Sequence, residues 1–366
     1  GPLDLTVGTL VATTDAGGIF LLESNALIIG AAAVKTTDGD AAIEITLTAG
    51  NLTLDDDITA NGSGNVTLVL SAADAQLITG DANDDIVSGT GDISITADVL
   101  TLANGNITST GGALTLQPLS AAQSVGISGG GGTFSLTTTE IDLLSNGFSS
   151  IAIGRTDGTA LMTINADAFL DPITFRMGGV SGDILTVGAL TTTDLAMTFT
   201  AGTGNTGTFV QSDGASTIAT GTGAITVNAD LIALSTTVNT VTTTGAITLQ
   251  PTTAGRPIVI GAAGGASDFA LSTAEIAALT DNASGITIGK ANSGAVTISA
   301  ITFNDPITIL GAAMSVTALQ AAANNITLTS TSTIDEDSND TTVDITTSAT
   351  LSLTAGGAIG VSAGNG

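Results

Sequence analysis

Cysteine, histidine, tryptophan and tyrosine are all absent from this chain of 366 residues. Without cysteine no disulfide braces the fold, which excludes the small disulfide-rich secreted scaffolds but not an extracellular setting. Without histidine and cysteine the commonest general bases, thiol nucleophiles and zinc ligands are missing. Nine phenylalanines are the only aromatic residues, 2% of the chain, so bulky rings cannot fill an irregular core. Cations are scarce: five Lys and Arg stand against 33 Asp and Glu, for a net charge of −28. Such a chain repels a phosphate backbone and an anionic bilayer surface, so neither nucleic acid nor a membrane is an expected partner. No run of about 18 apolar residues is present, so no membrane-inserted helix is expected either. The chain opens Gly1-Pro2 with no Met and no basic leader, which reads as a mature product, an excised fragment or a tagged chain.

What is abundant is small and branched. Hydrophobic residues make up 43% of the chain, supplied by Val, Ile, Leu and Ala, and 47 glycines imply many tight corners. One local pattern recurs: apolar, polar, apolar, then Gly, Asn or Asp. It is seen at Ile43-Glu44-Ile45, Val66-Thr67-Leu68, Ile93-Ser94-Ile95, Leu114-Thr115-Leu116, Ile225-Thr226-Val227, Ile247-Thr248-Leu249, Ile286-Thr287-Ile288 and Ile326-Thr327-Leu328. Period-2 alternation over so few residues, bounded by turn formers, predicts short half-buried strands. The outward residue is usually Thr, whose branched Cβ favours extended backbone. Strands this short are stable only when stacked, each coil burying its apolar row against the next. The predicted fold is therefore all-β, a right-handed parallel β-helix (β-solenoid) with short helical insertions. At roughly 20 residues per coil it would wind about 18 times into a rod.

A longer repeat lies above the short one. Gly112–Pro118 (GALTLQP) matches Gly245–Pro251 (GAITLQP), and 251 − 118 = 133. Phe134–Ile141 matches Phe269–Ile276, Ile151–Arg155 matches Ile286–Lys290, and Asp171–Thr174 matches Asp305–Thr308. The organisation read from this is a diverged tail at 1–77, repeat units at 78–211 and 212–345, and a C-terminal coil at 346–366, all one continuous solenoid. Inside each unit Thr137 with Glu140, and Ser272 with Glu275, have the spacing of a helical capping box. Ser71 with Asp74 is a weaker third instance.

These strings, Leu-Gln-Pro followed by Phe-x-Leu-x-x-x-Glu-Ile, Ile-x-Ile-Gly-Arg/Lys and Asp-Pro-Ile-Thr, resemble the long repeats of giant bacterial surface exoproteins. The family is the filamentous-haemagglutinin-like or β-strand-repeat group, and the likeness covers most of 78–312. It implies a β-helix exported to the cell surface, with roles in adhesion, aggregation or matrix building. It transfers no functional residues.

Candidate sites are few. The acidic clusters are Asp55, Asp56 and Asp57; Asp81, Asp84 and Asp85; and Asp335, Glu336, Asp337 and Asp340. Dense carboxylate oxygens suit calcium, so these ten are candidate ligands of a structural calcium, set against the reading of a charge run as a solvated face. None forms an EF-hand loop, and the glycine run Gly129–Gly132 is followed by Thr133-Phe134 with no Asp. Five scattered cations fit poorly with a lyase acting on acidic polysaccharide, and glycosidase chemistry would need two converging carboxylates. No catalytic residue and no cofactor other than calcium is expected. The sequence reading is an extracellular, non-enzymatic rod in a surface or matrix fibre. Its expected partners are its own kind, head to tail through open strand edges, and a surface glycan or protein met by a lateral face. A polysaccharide-active β-helix enzyme is the remaining alternative.

Overall fold

The computed structural model describes residues 1–212, 214–337 and 342–360. The chain divides into two units, Gly1–Arg176 and Met177–Gly366. Each is built almost wholly of short parallel strands in stacked three-sided coils, a parallel β-solenoid.

In the first unit one face runs through Leu3–Leu5, Ile19–Glu23, Ile43–Leu47, Val66–Leu70, Ile93–Thr96, Ala113–Gln117 and Ser150–Arg155, every pairing parallel. Register stacks Ile19, Ile43, Val66, Ile93, Leu114 and Ile151 in one inward column. A second column is Leu21, Ile45, Leu68, Ile95, Leu116 and Ile153. Nearly all of these side chains are fully buried. Full burial of each contributes about 1.5–3 kcal/mol, and aliphatic-on-aliphatic stacking explains why the chain needs no large rings. A second face begins with Thr9–Thr14, which pairs with the long strand Leu27–Thr36, and splits in the next coil into Leu52–Leu54 and Ile58–Ala60. From there each coil has three strands.

The second unit repeats the plan. Met197, Ile225, Ile247, Ile286, Ile307, Ile326 and Leu351 form one inward column, and Phe199, Val227, Leu249, Ile288, Ile309, Leu328 and Leu353 the other. Between them, facing outward, stand Thr198, Thr226, Thr248, Thr287, Thr308, Thr327 and Ser352 in unbroken register. The period-2 pattern places them there, because a one-residue slip would turn every Ile inward-to-outward.

Coil length departs from the expected figure of roughly 20 residues. Ile307 to Ile326 spans 326 − 307 = 19, and Met197 to Ile225 spans 225 − 197 = 28. Two coils are far longer: Leu114 to Ile151 spans 151 − 114 = 37, and Ile247 to Ile286 spans 286 − 247 = 39. In each long coil the third strand, Phe134–Leu136 or Phe269–Leu271, doubles back to pair in parallel with the strand just before it. The coil also holds a single helical turn, α1 (Thr138–Ile141) or α2 (Thr273–Ile276). Doubling back so tightly requires glycine. A Cβ on Gly126 would overlap the Gly130 carbonyl oxygen, and one on Gly130 would overlap that of Thr163.

Both capping boxes are present as the spacing predicts. Thr137 caps Glu140 and Ser272 caps Glu275, with Ile141, Leu144, Ile276 and Leu279 buried beneath. The third instance is not a helix. Asp74 takes a left-handed conformation, φ 59°, and its amide donates to Asp98 of the next coil, which turns the chain into the strand Gln76–Thr79.

Candidate functional site

The first two acidic clusters sit at solenoid corners, whereas Asp335 and Glu336 of the third lie in the strand Ile334–Glu336. Stacking places the Asp55–Asp57 corner beside the Asp81–Asp85 corner of the following coil. The Asp85 amide donates to Asp57 Oδ1 at 3.0 Å, and the Asn106 amide donates to Asp85 Oδ1 at 2.6 Å. Asp84 Oδ2 accepts from the amides of Gly80 and Asp81, and Asp81 Oδ1 accepts from Asn83 at 2.8 Å. Asp56 Oδ1 accepts from the Asp57 amide at 2.8 Å. These aspartates act as rung-to-rung staples and turn caps. Burial, and then the charges of Asp85, Asp56 and Asp84, push the Asp57 carboxyl above the usual carboxylate range, against the opposing Asp85 amide bond. Asp84 Oδ1 is buried and has no hydrogen-bond partner.

In the third cluster Asp335 Oδ1 accepts from the Glu336 amide at 3.0 Å, and Asp337 Oδ2 accepts from the Thr317 hydroxyl at 2.8 Å. Asp340 lies outside the described residues. Among the described residues no three acidic side chains form a group fit to hold a metal ion. Asp56, Asp57, Asp81, Asp84, Asp85 and Asp335 each accept from a backbone amide.

The cations were read from sequence as scattered. They have a common job. Four of the five donate to main-chain carbonyls: Arg155 Nη1 to Pro118 and Leu119 at 3.1 and 2.9 Å, and Arg176 Nε to Gly154 at 3.1 Å. Lys290 Nζ donates to Thr252 at 2.7 Å, and Arg256 Nη1 to Asn205 at 3.2 Å. Arg155 and Lys290 occupy matching places in the two copies of the long repeat, and both pin the corner after a Leu-Gln-Pro string. Asp230, fully buried, accepts at that corner from the Asn205 and Thr253 amides, both at 2.7 Å, and from the Thr252 and Thr253 hydroxyls. Burial alone would raise its carboxyl; this shell of donors brings it below the usual range instead. Nothing in this arrangement offers a cationic cleft to a polyanion.

The helical turns carry a tie that the capping-box spacing does not announce. Glu140 accepts from the Thr137 amide at 2.8 Å and, through its other oxygen, from the Leu102 amide at 3.0 Å. Glu275 does the same to Ser272 at 2.8 Å and Leu234 at 3.1 Å. One carboxylate thus caps the turn and fastens it to the coil beneath it.

Beside α2 lies an open groove of about 590 Å³. Its floor is apolar, with Leu279, Ile301 and Phe303 all buried. Its rim carries Asn239, Asp281, Asn304 and Gln320, all exposed, from four separate segments. Asp305, also buried in the lining, accepts from the Asn282 amide at 2.9 Å, and burial holds its carboxyl above the usual range. The matching place beside α1, around Phe169 and Leu170, encloses only about 50 Å³. The chain matches no protein-family model, no curated protein and no solved structure.

Proposed function

We propose that this chain is a structural, non-enzymatic segment of an extracellular bacterial surface fibre or adhesin that associates with copies of itself. The observation that carries this reading is the pair of end strands. Leu3–Leu5 pairs only with Ile19–Glu23, and Leu351–Ala355 only with Ile326–Ser330, among the described residues. Among the described residues each has one ladder partner, so its other edge offers the amides and carbonyls on which a further strand adds, whether of a longer chain or of another copy. Apolar side chains accompany both rows: Leu3 is 63% exposed, Leu351 42% and nearby Ile359 52%. Both strands have a Leu-x-Leu pattern, so stacking one copy's first strand on another's last would extend the same kind of ladder that fills the interior. A head-to-tail contact between two different surfaces propagates as a filament wherever its rotation does not close a ring.

The composition supports the same role. Backbone ladders and aliphatic columns resist unfolding without disulfides, and the acidic exterior keeps an apolar-rich chain in solution. The surface-exoprotein likeness of the long repeat points the same way. Electron microscopy of the purified chain at physiological salt tests the proposal: filaments that lengthen with concentration are expected, and Leu351→Asp shortens or abolishes them. Dispersed particles at high concentration, unchanged by that substitution, refute self-assembly.

A further inference from the structure

We propose that the groove beside α2 binds a short neutral oligosaccharide. The site is independent of the end strands, so its success or failure leaves the fibre reading to be judged on its own test. A volume of about 590 Å³ falls within the size of small-molecule sites, and an apolar floor with a few polar groups at the rim is their usual lining. The rim groups decide the class. The side-chain amides of Asn239, Asn304 and Gln320 each offer both donors and an acceptor, and Asp281 adds an acceptor, the set that matches hydroxyls, which both give and take hydrogen bonds.

Charge removes the alternatives. No Lys or Arg is in the lining, while Asp281 and Asp305 are, so uronates, sulfated sugars and phosphates are repelled. Asp305 is buried and already accepts from the Asn282 amide, which leaves Asp281 as the exposed carboxylate of the rim and gives little reason for a polycation to be preferred. The floor residues face sugar C–H groups, whereas a wholly apolar ligand would strand three amides at the rim.

The first unit supplies an internal comparison. Asn304 stands where the earlier copy of the repeat has Leu170, and 304 − 170 = 134, the repeat offset. Leu170 lines the small counterpart cavity. Asn304→Leu therefore removes a rim amide and installs a residue that the same local sequence, Phe-x-Asp-Pro-Ile-Thr, already tolerates.

The test is titration calorimetry and saturation-transfer NMR on the whole chain, with cellobiose, lactose, maltose and diacetylchitobiose. Oligogalacturonate and oligolysine are the charged comparisons. The expected result is saturable binding of at least one neutral sugar with a Kd on the order of 1 mM. Asn304→Leu and Gln320→Ala each weaken it about tenfold, the loss of one or two hydrogen bonds, while circular dichroism and the melting curve stay those of the parent. Absence of saturation by every neutral sugar overturns the proposal, as does preference for either charged oligomer. Neutral-sugar binding that both rim variants leave unchanged overturns the assignment to this groove.

Discussion

Replacing Glu275 by alanine separates the two tasks that one carboxylate performs. Its oxygens accept from the Ser272 amide at 2.8 Å, the Ser272 hydroxyl at 2.7 Å and the Leu234 amide at 3.1 Å. Loss of the capping partnership costs about 1 kcal/mol. The Leu234 bond is to a charged acceptor, and its donor is a buried residue just after the strand Leu231–Ala233, so its loss adds roughly 1.5–3 kcal/mol. The sum, roughly 2.5–4 kcal/mol, falls on the long coil between Ile247 and Ile286, because each repeat of a solenoid contacts only its neighbours. The expected outcome is local. Amide exchange in residues 262–284 accelerates by two to three orders of magnitude, on the order of 10²–10³, while the columns at Ile225 and Ile326 keep their protection. Glu275→Gln retains the acceptor oxygen but has only one of them, and should lie between the parent and the alanine variant. Exchange that speeds up uniformly along the chain would refute the argument that the insertion is fastened by this one group. So would an alanine variant indistinguishable from the parent.

Other outcomes follow from the same geometry. Ile95→Ala, between Leu68 and Leu116 in a fully buried column, should cost about 2–5 kcal/mol by urea denaturation, toward the upper part because rungs tied by backbone bonds cannot collapse into the gap. The neighbouring outward Ser94→Ala should change stability by less than about 0.5 kcal/mol. Lowering the pH from neutrality toward the ordinary carboxylate value of 3.8 should stabilise the fold. The raised carboxyls of Asp57, Asp167 and Asp305 take up protons more readily folded than unfolded, so their unfavourable contribution fades as pH falls through their folded values. Asp230, held low, works in reverse and its contribution is lost only at more acid pH, below the ordinary value of 3.8. Asp57→Asn keeps an acceptor for the Asp85 amide, and should raise the denaturation midpoint at neutral pH and flatten its pH dependence.

The sequence displayed the repeating architecture well because the information is local. Ile-Thr-Leu states which side chains face inward within three residues, and Thr137 and Ser272 each announce a helical turn within four. Ser71 misled for a physical reason. Asp74 has a shorter side chain than the Glu at the matching place of α1 and α2, and its amide is claimed by Asp98, a residue 24 positions away. The acidic corners were ambiguous: Asp81, Asp84 and Asp85 look alike in sequence to a cation site and to a set of turn caps. Only the positions of the amides of Gly80, Asp81 and Asn106 distinguish the two. The cations and the groove lay beyond reach. Arg155 meets Pro118 across 37 positions, and the groove rim gathers Asn239, Asp281, Asn304 and Gln320 from separate segments. No local spacing encodes either.

How the cations are used also determines how copies of this chain should meet. Four of five are spent on main-chain carbonyls, so most of the 33 acidic charges have no cationic partner; an ion pair observed among the described residues is Arg155 with Asp157 at 2.7 Å. Two molecules approaching end to end therefore repel at long range and attract only at contact, through strand pairing and exposed leucines. The Debye length shrinks from about 30 Å at 0.01 M salt to about 8 Å at 0.15 M. Screening should thus remove the barrier while leaving the short-range contact intact. Light scattering at fixed protein concentration is expected to show little assembly at the lower salt and rapid growth at the higher, with sodium and calcium chloride equivalent once matched for ionic strength. Filaments that dissolve as sodium chloride rises would mean that ion pairs hold the copies together. Growth with calcium alone would mean that a bound cation, and not the apolar strand edge, makes the junction.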